Sequence, residues 1–132
     1  MPSLRSEDVL AAADRLVAAF AATDTEGYFA CFAESATFVF HPEAERLDSR
    51  AAYEALWDGW LASGWRVEEC HSSDRLVQVL GDSAVFSHRV HTVTSANGER
   101  TSLDERESIV FALVDGELLA VHEHLSPAPP RG

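Results

Sequence analysis

Glu105, Glu107 and Glu123 stand in step with large aliphatic residues on two successive stretches near the C-terminus. If those stretches are strands, alternation carries the three carboxylates to the face that holds Leu103, Ile109, Phe111, Leu113, Leu119, Val121 and Leu125. Desolvation there raises a carboxyl pKa and makes a general base. Proton abstraction beside a carbonyl, or an aldol closure, needs little more than such a base and a donor. On the preceding stretch Arg89 and His91 share one face with Val85 and Val93, while Phe86, His88 and Val90 share the other. Composition leaves open which of those faces is internal. Imidazole titrates near neutrality, so a histidine beside these carboxylates completes an acid–base set. The simpler alternative is that Arg89 neutralises a glutamate in a structural ion pair.

A second grouping is His122-Glu123-His124. Two residues apart on a strand, both imidazoles lie on one face and can chelate zinc, iron or copper, with His88 as a third ligand on the same sheet face. The alternative is a pair of hydrogen-bonded histidines on the outer face at a subunit contact. Tyr28, Tyr53, Trp57 and Trp60 can floor an aromatic ligand site, although Tyr53, Trp57 and Trp60 at helical spacing also suit a core. His41-Pro42-Glu43 falls just past a strand, where a pocket rim belongs. Cys31 and Cys70 have no CxxC companion and read as small buried side chains. The chain has no glycine-rich phosphate loop, nucleophile elbow or Ser-His-Asp ordering, so no cofactor is expected.

The elements that must position these residues are legible from periodicity. Ser6, followed by Glu7 and Asp8, reads as a helix start, and Val9, Ala13, Leu16, Val17 and Phe20 recur at helical spacing. Thr23-Asp24-Thr25 caps a short helix running through Tyr28, Phe29 and Phe32, and residues 36–40 are strand-like. Asp48 or Ser49 caps a third helix, striped by Tyr53, Leu56, Trp57, Trp60 and Leu61 and closed at Ser63-Gly64. From Trp65 the period becomes two. Strands are expected at 65–80, with an interruption near residues 72–74, and at 83–95, 100–114 and 118–126. Gly81-Asp82, Asn97-Gly98 and Asp115-Gly116 are the turns. Helices followed by an antiparallel meander make an α+β domain, a curved sheet wrapped around N-terminal helices. The domain spans residues 1–126, and residues 127–132 form a flexible Pro-rich tail.

Composition narrows the function classes. The 132 residues carry 22 Asp and Glu against 10 basic residues, all of them Arg, for a net charge of −12. That charge argues against nucleic acid and anionic membrane surfaces as partners. Without lysine there is no Schiff-base chemistry. No apolar run approaches a membrane span and no leader pattern opens the chain, so a cytoplasmic location is expected.

The layout resembles the nuclear transport factor 2-like superfamily, in particular its SnoaL-like members. The similarity is strongest over Glu107–Ser126, where a Glu-Ser strand leads to an Asp-Gly turn and a strand ending His122-Glu123-His124-Leu125-Ser126. The association domain of calcium/calmodulin-dependent kinase closes in a similar way. Leu118 stands where the family usually has Trp, and Ile109 and Leu125 stand where that association domain carries pocket arginines. The resemblance implies a cone with a pocket between concave sheet and helices, and pairing of two copies through the convex face. It also implies that His91 lies at a pocket position, with Arg89 on its face. Members of the superfamily include isomerases, cyclases, dehydratases, hydrolases and non-catalytic binding modules, so the fold does not choose among them.

Together these expectations describe a homodimeric domain that binds a small apolar or aromatic molecule and works by cofactor-independent acid–base chemistry. His91, Glu107 and Glu123 are the expected catalytic groups, and His41, Tyr28, Trp57, Arg89 and Glu105 the expected substrate contacts. The alternatives are an association module and a metalloprotein using His122 and His124.

Overall fold

The computed structural model describes residues 4–130. Helix α1 (Ser6–Ala21) begins one residue earlier than a serine cap requires: Arg5 holds the cap position, and its N–H donates to the Asp8 carboxylate at 3.2 Å. Asp24 caps α2 (Thr25–Phe29) by accepting from the Gly27 N–H at 3.1 Å. This helix ends before Phe32, which instead opens β1 (Phe32–Phe40). Ser49 caps α3 (Arg50–Ala62), its hydroxyl oxygen accepting from the Ala52 N–H at 3.1 Å. Gly64, at φ 86°, then turns the chain into the sheet, a left-handed conformation that glycine adopts without strain.

Four long strands follow: β2 (Trp65–Leu80), β3 (Ser83–Ala96), β4 (Glu99–Val114) and β5 (Glu117–Pro127). They form the expected antiparallel meander, and β2 is continuous with a bulge between Ser73 and Leu76. The first strand adds to the far side, parallel to β5, so the sheet order is β1-β5-β4-β3-β2. The fold is α+β, a curved, unclosed five-stranded sheet with the helices on its concave side. Between sheet and helices lies an aromatic core in which Phe32, Phe38, Trp57, Phe86 and Phe111 are at most 1% exposed.

Burial decides the strand faces that composition left open. On β3, Ala84, Phe86, His88, Val90 and Thr92 point inward, and Arg89 and His91 point outward. On β4, Glu105, Ile109 and Phe111 are buried as expected. On β5 the expected phase holds only beyond a bulge. Phe111 pairs with Ala120 but Val110 pairs with His122, which leaves Val121 as an extra residue. Ala120 and Glu123, three apart, are therefore both internal at 0% and 2% exposure. The inward placement of Leu119 and Val121 is thus corrected: Leu118 and Ala120 take the inner face before the bulge.

Pro127 completes β5, the Ala128 N–H donates to the Asp104 carbonyl at 3.0 Å, and Arg89 Nη2 donates to the Pro129 carbonyl at 3.2 Å. The rest of the expected tail, residues 131–132, lies outside the described residues. Among the described residues no helix is long and apolar enough to cross a membrane.

Candidate active site

The space between the concave sheet and the helices encloses a cavity of about 240 Å³. Its walls are apolar over most of their extent: Leu16 and Phe20 from α1, Trp60 from α3, Trp65 from β2, Leu103 and Leu125 from the sheet. Polar groups converge at one end, where Glu105, Glu107, Glu123, Tyr28 and Tyr53 line the same space. An apolar cleft with a few convergent polar groups is the usual form of a small-molecule site.

Hydrogen bonds tie several of these groups together across elements. Ser72 Oγ on β2 lies 2.5 Å from His88 Nδ1 on β3. His88 Nε2 reaches Glu107 Oε1 on β4 at 2.7 Å. Glu107 and, on the neighbouring strand β5, Glu123 line the same space as Tyr28 on α2. Tyr28 Oη lies 2.9 Å from Tyr53 Oη on α3. Burial raises the Glu123 pKa well above the usual carboxylate range, and the neighbouring Glu107 and Glu105 carboxylates raise it further.

Tyr28 and Tyr53 share one hydrogen bond, so one of the two hydroxyl protons is left free. On the other side, a His88 Nε2–H can donate to Glu107 while Nδ1 accepts from the Ser72 hydroxyl. Burial holds both tyrosines well above the ordinary phenol pKa. They serve as donors, not bases.

At the rim, His41 Nε2 and Glu105 Oε2 are 2.5 Å apart. Burial raises the Glu105 pKa, and the His41 bond works against that rise. Cys70 also lines the cavity, and burial pushes its thiol up to about 11, so it is protonated and unreactive at neutral pH.

The structure brings together Glu105, Glu107, Glu123, Tyr28 and His41 from the expected set. It separates three others. His91 lies on the outer face, 2.9 Å from Asp104 and stacked on His71, so it does not reach the cavity. Arg89 shares that outer face, as expected of a residue two positions away. Trp57 is internal but sits behind the cavity wall, stacked on Tyr28 with its Nε1–H donating to Thr25 at 2.8 Å. The histidine that joins the carboxylates is His88, whose side chain is 0% exposed. Its signal was its phase: it alternates with Phe86 and Val90 and stands directly opposite Glu107. Phe40 and Trp65 are further lining residues that periodicity did not single out, and Leu103 lines the space from the face that alternation gave it.

His122 and His124 both face outward, their ring centroids 6.2 Å apart, with His122 Nδ1 2.8 Å from Thr37 Oγ1. Burial and the neighbouring His124 charge lower the His122 pKa. His88, on the opposite face, cannot serve them as a third ligand. Among the described residues no three His, Cys, Asp or Glu side chains gather to hold a metal ion.

With this geometry in place, comparison with known proteins decides the family. The model of the SnoaL-like domain matches residues 9–130. The chain belongs to the SnoaL-like family. Solved structures agree on the fold. An NTF2-like protein of unknown function in nutrient uptake from Rhodospirillum rubrum superposes with a TM-score of 0.79 at 22% identity, covering 92% of this chain and 99% of that one. A candidate dehydratase of the NTF2-like family from Streptomyces avermitilis gives 0.80 at 18% identity, covering 94% and 96%. The association domain of CaMKII from C. elegans gives 0.72 at 25% identity, covering 91% and 93%. Among curated proteins none matches the chain. The solved neighbours of this shape thus include a candidate dehydratase and an association domain, so the fold alone does not choose a role.

Proposed function

We propose that this SnoaL-like domain binds a small, largely apolar molecule of one or two rings and moves a proton on it. Glu107 and Glu123 are the acid–base pair. The volume supports the size: about 240 Å³ is below the roughly 300–1,000 Å³ of drug-sized ligand pockets. The observation that carries the chemistry is the buried Glu123 beside Glu107 in an otherwise apolar cavity, its proton affinity raised by burial and by that neighbour. When two carboxyls share a proton, one is poised as an acid and the other as a base. His88 is a positioning residue behind Glu107, and the hydroxyl proton left free by the Tyr28–Tyr53 bond is the donor to an oxygen on the ligand. Isomerisation, cyclisation, dehydration and hydrolysis all fit this equipment without a cofactor.

An open cavity favours ligand binding over a purely associative role, since Leu125 lines the space and does not fill it. Pairing of two copies through the outer sheet face is part of the same proposal. It is supported by Leu76 and Leu80, which point outward at 58% and 64% exposure.

The test is solvent exchange of a bicyclic ketone, 1-indanone, followed by proton NMR in D2O. Wild-type protein is expected to accelerate loss of the proton beside the carbonyl, and Glu107→Gln to remove about a hundredfold or more of that acceleration. Binding of 1-indanone, seen as line broadening, with exchange at the buffer rate would overturn the acid–base assignment.

A further inference from the structure

The outer face of β3, β4 and β5 carries a depression of about 330 Å³ bordered by Ser87, Arg89, Arg106, Ser108, His124 and Ser126. Strand register sets these residues in two rows across three strands. One row is Ser87, Ser108, His124, and the next is Arg89, Arg106, Ser126. Every one of the six carries a hydrogen-bond donor, and none is acidic. Two carboxylates border the depression. Glu107 turns through to the inner cavity, where it holds His88, and Asp74 belongs to the β2 bulge at the edge.

Such a cluster runs against the composition, in which acids outnumber bases by 22 to 10. Arg5, Arg46, Arg50, Arg66, Arg75 and Arg100 each stand within salt-bridge distance of a carboxylate. Among the described residues Arg15, Arg89 and Arg106 have no such partner, and Arg89 spends one donor on the Pro129 carbonyl. Arg89 and Arg106 are placed directly opposite one another, their Cβ atoms about 5 Å apart, where like charges destabilise a sheet.

We propose that the depression binds the phosphate group of a small ligand. A dianion matches the two fixed guanidinium charges, and its terminal oxygens can be shared between both arginine forks, the His124 ring and the Ser126 and Ser108 hydroxyls. A monoanionic carboxylate leaves one arginine charge unmatched. The site opens on the outer face, away from the inner cavity, and its Ser87 edge lies in register with Leu76.

The test is calorimetric titration of the full chain with inorganic phosphate at low ionic strength, with acetate as the comparison anion. The expected result is one phosphate per chain, no saturable acetate binding, and affinity lower by about tenfold or more in Arg106→Gln and in Arg89→Gln. Ser126→Ala, which leaves both charges in place, is expected to weaken binding by a smaller factor. Absence of saturable phosphate binding, or unchanged affinity in Arg106→Gln, overturns the proposal. It is also overturned if sedimentation shows paired copies that bind no phosphate and fall apart on Arg106→Gln, because acidic side chains of a second copy then occupy the depression.

Discussion

On β3, β4 and β5 the inner and outer faces are built by alternate residues of the same three strands, yet they carry opposite chemistry. Inside, His88 and Glu123 are buried, and His88 is hydrogen-bonded to the partly buried Glu107. Outside, one residue along, Arg89, Arg106 and Ser126 stand in a row, and among the described residues no carboxylate pairs with them. An acid-rich chain has placed carboxyl groups where water is excluded and arginines where it is not. Burial gives the inner acids raised proton affinity, which suits proton transfer. Exposure leaves the arginines as plain positive charge, which suits holding an anion.

The largest effect that separates the two faces is packing. Phe86 and Val85 are neighbours on β3, but only Phe86 is fully buried, against His88 and beneath the Arg75 guanidinium. Phe86→Ala is expected to cost about 3–5 kcal/mol in chemical denaturation and Val85→Ala about 1 kcal/mol or less. Equal losses would mean that the inner face has been assigned wrongly.

Next comes the pH dependence of the inner face. Native Glu123 holds its proton at a pH where the unfolded chain releases it. Its contribution to stability is fully present below the ordinary carboxylate range and is lost as pH rises through the raised native value. Glu123→Gln keeps a donor for Glu107 and an acceptor for Tyr28 but removes the titration. Its melting temperature at pH 8 is expected to exceed wild type by about 3 °C or more, with a flatter pH profile, measured by calorimetry. A variant less stable than wild type at pH 8 contradicts a neutral Glu123.

Cys70 gives a smaller, kinetic readout of the same burial. With its thiol raised to about 11, iodoacetamide labelling at pH 8 is expected to be slow relative to a free thiol, and a cavity ligand should slow it further. Fast labelling would mean that the cavity is open to water. The smallest effect belongs to the outer face. In phosphate-free buffer Arg106→Gln relieves the opposed arginine pair and should stabilise by about 0.2–1 kcal/mol, an advantage that fades with added salt.

The same contrast explains what could be read from the sequence. The faces of β4 were legible because Ile109 and Phe111 alternate with Ser108 and Val110, so Glu105 and Glu107 could be placed inside. The faces of β3 were not, because Val85 and Val93 on one side balance Phe86 and Val90 on the other. Only packing against the helices turns Phe86 and His88 inward, and with that choice His91 leaves the cavity. Glu123 was placed inside by periodicity carried over from Leu119 and Val121, yet it is internal because of the Val121 bulge, for which the sequence carries no marker. The parallel pairing of β1 with β5 is likewise a tertiary choice, invisible in local pattern. Glu107 and Glu123 stand diagonally across two neighbouring strands, which spacing along the chain does not reveal.

The central claim of the proposal is that Glu123, buried beside Glu107, keeps its proton at pH 7. Carbon NMR of the glutamate side-chain carboxyl carbons, followed from pH 4 to pH 9 with Glu123→Gln for assignment, tests it most directly. The account predicts one carboxyl carbon that keeps the shift of a protonated acid at pH 7 and is missing from the variant. If every carboxyl carbon in the wild-type protein has the shift of an ionised group at pH 7, the acid–base pair described here does not exist.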